Sequence, residues 1–463
     1  MTTTIQATRR AHVLPIAGLL LRGRVAAGRA VIDILTTATF MITTSLLLSV
    51  VAGARVFYER QTNPPAGLIA ALGPDAPALS PATMSQWTLF ACCAAVLLIV
   101  PLLTLSAAAA RMGALGRDQR LAALRLLGAS AFDTVRLATF DSMASAVIGA
   151  LLGIVGYIGL LPVWSMITFQ ATPLSPAQML MPAGWVALVV LGVVLLAGIA
   201  SVAGLRGVRI SPLGVSRRAR RSKVRWARLL VIPVVIVAWI AVAPLRDLTV
   251  IVVVLLCFMA VVNVVGPLVL RLVGTVLMHH DSAVSLLAGR RILADPSSAW
   301  RNVAGLAFTG FIGGVFVALP QRTTANPLTT ILSDDLRTGA LLTVAISFVT
   351  AAASCALNQI AAVLDRRDVL VQLDHAGTPQ QIINAARRRE VLIPTLCASL
   401  GSAGLSAMFF TSLGAAFAVA GNPTGTIALT LILACGIGLV LAAAETCRPV
   451  VRGILAGAGA RVE

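Results

Sequence analysis

Gly184–Leu205 reads GWVALVVLGVVLLAGIASVAGL and contains no charged residue. A soluble helix keeps a polar stripe, whereas one that is apolar all round is buried in a large protein or in lipid. At 1.5 Å per residue this stretch crosses the roughly 30 Å hydrocarbon core of a bilayer, which takes about 20 apolar residues. Similar runs lie near 31–55, 87–110, 138–161, 229–245, 248–271, 303–320, 338–362, 391–416 and 427–446. The whole chain agrees with its parts: of 463 residues, 58% are hydrophobic and only 11% charged, and the mean hydropathy is +0.94. Soluble chains carry about a quarter charged residues, so the soluble-enzyme, fibrous and disordered classes are excluded. The expected fold is an all-α polytopic membrane protein of about ten transmembrane helices.

The net charge of +19 comes almost wholly from arginine, since Lys223 is the one lysine. With the N-terminus inside, the segments expected in the cytoplasm hold 31 of the 36 Lys and Arg residues. Arg55, Arg60, Arg246, Arg322 and Arg337 fall on the other side. That asymmetry follows the positive-inside rule and puts both termini in the cytoplasm. It also accounts for the basic charge without a nucleic-acid partner; membrane lipid is the partner implied, with Arg217–Arg228 placed to meet anionic headgroups. Arginine in place of lysine, with abundant Ala and Val, points to a GC-rich bacterial genome and so to a multi-pass protein of the bacterial cytoplasmic membrane. No cleavable leader is expected, because Arg22, Arg24 and Arg29 interrupt the first apolar stretch. The longest external segments, about 57–86 and 321–337, are too short for a folded domain lacking disulfides.

The chain repeats itself at an offset of roughly 250 residues. Arg117–Val135 reads RDQRLAALRLLGASAFDTV, and Arg366–Ile383 reads RRDVLVQLDHAGTPQQII. Each opens on Arg-Asp (Arg117-Asp118; Arg367-Asp368 after Arg366) and continues as a short helix with an apolar stripe. Leu121, Leu124 and Leu127 form the first stripe; Val369, Leu370 and Leu373 approximate it in the second. Each breaks at a glycine, Gly128 or Gly377, suited to the left-handed position beyond a helix end. Each restarts at an N-cap, Ser130 or Thr378, with Asp133 or Gln381 at the capping-box position and Pro379 at the first helical position of the second copy. Basic amphipathic stretches, Leu19–Arg29 and Ser285–Pro296, precede the first and seventh spans and suit elbow helices on the inner face. Glycines at close spacing follow each hinge: Gly149, Gly153, Gly156 and Gly159, then Gly401 and Gly404. Small residues so spaced let helices approach closely. The expected organisation is an elbow over 1–30, a four-span half over 31–228, two linker spans over 229–275, and an elbow with a second four-span half over 276–463.

No motif for catalysis is evident. A P-loop requires a lysine after its glycines, and Lys223 stands in an arginine-rich run instead. His12, His279, His280 and His375 have no metal-ligand spacing, no GxSxG exists, and no bound cofactor is expected. Cys92, Cys93, Cys257, Cys355, Cys397, Cys435 and Cys447 read as small packing residues. Mid-membrane ionisable groups, which mark proton relays, are nearly lacking: Asp33, Asp141 and Glu445 sit toward the inner ends of spans.

Leu121–Val135, LAALRLLGASAFDTV, resembles the coupling-helix signature of FtsX-like permeases, the membrane subunits of MacB-, Lol- and bacitracin-resistance-type ABC systems. Arg209–Val215, RISPLGV, resembles the R-x-SPL segment after their fourth span. The second copy is degenerate, with Asp374-His375-Ala376 where Arg125-Leu126-Leu127 stand in the first. The resemblance implies a permease driven by a separate cytoplasmic ATPase, with ATP and Mg held by that partner in about two copies. Carried over, the docking elements are Arg117, Asp118, Leu121, Leu124, Arg125, Leu127, Gly128, Ala129 and Ser130. The second set is Arg366, Arg367, Asp368, Leu370, Leu373, Gly377 and Thr378. The implied activity is export or extraction of an amphiphile such as a drug, antimicrobial peptide or lipid. The large extracytoplasmic domain of those permeases has no counterpart here. A transmission subunit that relays ATPase state without transport, and a secondary transporter, stay open as other readings.

Overall fold

The computed structural model describes residues 30–73, 79–115, 130–205, 237, 248–318, 327–365, 367–412, 423–445 and 448. Helices dominate: α1 (Ala30–Thr62), α2 (Ala66–Leu72), α3 (Pro81–Leu115), α4 (Ala131–Trp164), α5 (Pro176–Met179) and α6 (Ala183–Leu205). Then follow α7 (Leu248–Met278), α8 (Ala283–Ala294), α9 (Pro296–Ala318), α10 (Pro327–Asp365), α11 (Arg367–His375), α12 (Gln380–Ser412) and α13 (Pro423–Glu445). Six of these carry stretches long and apolar enough to cross a membrane: Asp33–Thr62, Pro81–Gly113, Val135–Trp164, Ala183–Val202, Ala260–Met278 and Pro327–Leu364. The chain is an all-α, multi-pass membrane protein. In α12 the charges Arg387–Glu390 precede the apolar stretch, and in α13 the apolar stretch Thr430–Glu445 is shorter. The span expected over 229–245 lies outside the described residues except for Val237, as do the first elbow and the segment Arg209–Val215.

One element departs from an all-helical reading. The connection between α4 and α6 holds a two-stranded antiparallel hairpin, β1 (Thr168–Phe169) and β2 (Thr172–Pro173), closed by Gln170 and Ala171. Both turn residues are left-handed, with φ of 56° and 54°. That is the geometry of a two-residue type I′ turn, which normally selects Asn or Gly.

The helices pair in one scheme used twice. In the first set α1 packs on α3, α4 and α6, while α6 also packs on α3 and α4. In the second α9 packs on α10, α12 and α13, while α13 also packs on α10 and α12. The sets meet along α3 and α10. Each of those central helices places one leucine in the other set's core: Leu357 lies among Phe40, Leu105, Ala146 and Ala197, and Leu97 lies among Phe311, Phe348, Val391 and Val440. α7 packs on α8 and α9, with the Trp300 indole donating to Asn263 Oδ1 at 2.8 Å.

Glycines set two of these approaches. A Cβ at Gly153 would stand 2.6 Å from Thr44 Cβ and 3.0 Å from the Met41 carbonyl, and one at Gly149 would stand 2.8 Å from the Thr37 carbonyl. Gly156 lies against Ser45, whose hydroxyl donates to the Gly153 carbonyl at 2.8 Å. So α4 rests on α1 at near backbone contact. Gly401 and Gly404 do otherwise: both are exposed, and among the described residues a Cβ on either would meet nothing within 4 Å. Within the described bundle α12 turns Ala398, Ser399 and Ser402 inward rather than these two glycines. The facing glycine is Gly310 of α9, against Ser399 and Ser402.

Candidate functional site

Polar side chains gather at both ends of the bundle. At one end α11 links α10 to α12. Its last turn closes with Gly377 at φ 76°, and the Thr378 N–H donates to the Leu373 carbonyl at 3.0 Å. This six-to-one bond around a left-handed glycine is the Schellman arrangement. The next helix opens one residue later than the sequence implies: the Pro379 carbonyl accepts from Ile382 and Ile383 N–H, and α12 begins at Gln380. Pro379 rather than Thr378 therefore stands at the N-cap. The apolar stripe of α11 also divides. Leu370 is buried and Leu373 partly so, both against Val363 and Ile383 of the neighbouring helices, while Val369 is half exposed. The stripe expected to meet a partner is thus used largely within the chain. Among the side chains described, α11 and the turn after it leave Val369, Gln372, His375, Ala376 and Gly377 outward.

Of the first copy, Arg117, Asp118, Leu121, Leu124, Arg125, Leu127, Gly128 and Ala129 lie outside the described residues, as does Arg366 of the second. Ser130 is described, and it caps α4. Its hydroxyl accepts from the Asp133 N–H at 3.1 Å and donates to Asp133 Oδ2 at 2.6 Å. Arg367 and Asp368 form the first turn of α11.

On α12 the run Arg387–Glu390 ties that helix to α8 and α13. Arg387 donates to the Ala444 carbonyl at 3.0 Å and lies 3.6 Å from Glu445. Arg388 donates to Glu445 at 2.6 Å, and Arg448 contacts the same carboxylate. A cation at the end of α13 also meets the negative pole of that helix. Arg389 reaches the Ser282 and Ser285 hydroxyls of the α8 start, and Arg291 pairs with Glu390 at 3.4 Å.

The opposite end holds a cluster that the sequence reading did not single out. Asp335, near the start of α10, is buried and accepts from two donors of the first helix set. The Trp87 indole donates at 2.8 Å and the Gln170 N–H at 2.9 Å, both to Oδ2. Arg60, also buried, donates to the Phe169 carbonyl at 3.1 Å, the Pro173 carbonyl at 3.3 Å and Gln178 Oε1 at 2.9 Å. Phe57 stacks edge-on against Phe169 at 5.2 Å, and Gly67 of α2 abuts the turn, 2.9 Å from the Ala171 carbonyl for an added Cβ. The Gln170 amide is wholly buried, and neither of its polar atoms has a partner among the described residues. A strained turn is thus held by a carboxylate from the other helix set. Two signals bore on it: Arg60 is one of five basic residues outside the arginine-rich side, and Asp334-Asp335 is an acidic pair beside an apolar run.

No family model, no curated protein and no solved structure matches this chain. Function rests on the geometry. Among the described residues no three His, Cys, Asp or Glu side chains group as metal ligands. His279 instead pairs through Nδ1 with the Thr275 carbonyl at 2.9 Å. Cys92, Cys257 and Cys435 are exposed, whereas Cys93 and Cys355 are buried. The described arrangement comprises two similarly paired helix sets, a hydrogen-bonded cluster around Asp335 at one end, and the short helix α11 packed on its neighbours at the other.

Proposed function

We propose that the chain is a ten-span permease subunit of the bacterial cytoplasmic membrane, driven by a separate ABC-type ATPase, in the manner of the FtsX-like permeases it resembles. The substrate class would be an amphipathic or hydrophobic molecule. The observation that carries this reading is the helix pairing used twice, with α11 and its left-handed glycine between the second and third helices of the second set. In such a machine a cytoplasmic helix fixed to two spans transmits force from a docked motor. The Schellman closure at Gly377 and the packing of buried Leu370 and partly buried Leu373 give α11 the required rigid attachment. The docking face then comprises Val369, Gln372, His375 and Ala376 rather than the leucine stripe.

The test is purification of the tagged protein from native membranes with mass spectrometry of what accompanies it. An ABC ATPase at about two copies per chain is the expected result. Val369→Arg with Ala376→Arg should remove the ATPase while leaving a folded permease, since both positions are exposed. Recovery without any ATPase, from membranes in which one is expressed, would overturn the proposal in favour of a secondary transporter.

A further inference from the structure

Among the described residues, the corner where α8, α12 and α13 meet sets Arg387, Arg388, Arg389, Arg291 and Arg448 against the carboxylates of Glu445 and Glu390. Arg387, Arg388 and Arg448 share the single carboxylate of Glu445. Arg389 rests on the neutral hydroxyls of Ser282 and Ser285, and Glu390 is taken by Arg291. Arg387 is only 6% exposed, and its Nε has no acceptor among the described residues. Charge of one sign left at a low-dielectric boundary attracts a counter-ion. Arg388 and Arg448 are the groups within reach of one, at 56% and 41% exposure.

The surface above them is apolar and exposed among the described residues. Ile427, Leu431, Ala434, Gly438 and Ala442 of α13 are exposed. Their spacing of three and four residues continues to Glu445, so they share its helical face. A Cβ at Gly438 would meet nothing within 4 Å. Excess guanidinium at the foot of an open apolar stripe matches a molecule with an anionic head and a long acyl tail. A soluble phosphate would use only the first feature.

We propose that this corner binds an anionic phospholipid, with Arg388 and Arg448 on the headgroup phosphate and an acyl chain along the Ile427–Ala442 face of α13. Guanidinium forks suit phosphate oxygens, and basic sites between membrane helices hold such headgroups. The proposal does not depend on the transport reading.

Native mass spectrometry of the full chain in mild detergent tests it, titrating dioleoyl phosphatidylglycerol against dioleoyl phosphatidylcholine. Arg388→Gln with Arg448→Gln should weaken phosphatidylglycerol binding about 30-fold, leaving phosphatidylcholine unchanged. Arg388→Lys with Arg448→Lys should retain most of it. Should the glutamine variant fold poorly, Gly438→Trp leaves every charge in place and should still lower retention by crowding the chain. Unchanged phosphatidylglycerol binding in these variants would overturn the proposal. Equal displacement by inorganic phosphate would also overturn it, by showing a simple anion site.

Discussion

Asp335 is the residue on which most depends for its size. Its Oδ2 satisfies an indole N–H and a backbone N–H, both buried and both supplied by the other helix set. Removing an acceptor leaves each donor with its full desolvation cost, about 1–3 kcal/mol apiece. Asp335→Ala should therefore lower stability by roughly 2–5 kcal/mol, seen as an earlier thermal transition in detergent. Asp335→Asn keeps an oxygen in place and should lose much less. Equal losses in the two variants would mean that charge, not hydrogen bonding, is what the site needs. The residue was hidden in the sequence because its partners stand 248 and 165 positions away. The turn it supports was hidden too. Gln170-Ala171 has none of the Asn-Gly or Asp-Gly chemistry that announces a type I′ hairpin, and the left-handed backbone is sustained by tertiary contacts instead.

At the scale of elements, hydropathy located the six helices long and apolar enough to cross a membrane, because a membrane leaves the backbone few alternatives to a helix. Ends were less legible. The apolar run of the first span ends near 55 while α1 continues to Thr62, and the run near 338–362 begins well inside α10, which starts at Pro327. Both overshoot the apolar stretch to build the Asp335 cluster. Small-residue spacing told where close approach was feasible but not which face would use it. The four glycine substitutions nearest this question separate the cases. Gly153→Val must push Thr44 and the Met41 carbonyl aside and should cost about 1–3 kcal/mol through overpacking. Gly401→Ala and Gly404→Ala meet open space and should be neutral or stabilising by up to about 1 kcal/mol, the helix-propensity gain. Gly149→Val should behave like Gly153→Val. Thermal unfolding of the purified variants orders them; a destabilised Gly401→Ala would restore a packing role to that face. The α11 stripe teaches the same point. Val369, Leu370 and Leu373 read as one face, yet helix geometry puts two of them against Val363 and Ile383.

The whole molecule is held together along the contact between α3 and α10, which joins two helix sets of matching pairing. Leu97 and Leu357 cross into opposite cores near that line, and Asp335 bonds Trp87 and Gln170 at one end of it. None of these contacts needs the segment 206–247 to be continuous. A chain divided after Arg228, with residues 1–228 and 229–463 expressed together, should therefore insert as two pieces and copurify through a tag on either one. Leu97→Ala with Leu357→Ala removes side chains that are almost fully buried. Such truncations cost about 2–5 kcal/mol each. The doubly substituted pieces should separate in detergent that leaves the unsubstituted pair intact. Asp335→Ala should weaken the association further, since it unties one end of the same line. If both pieces insert and never associate, continuity through 206–247 supplies the cohesion, and the α3–α10 contact is a consequence of the fold instead of its cause.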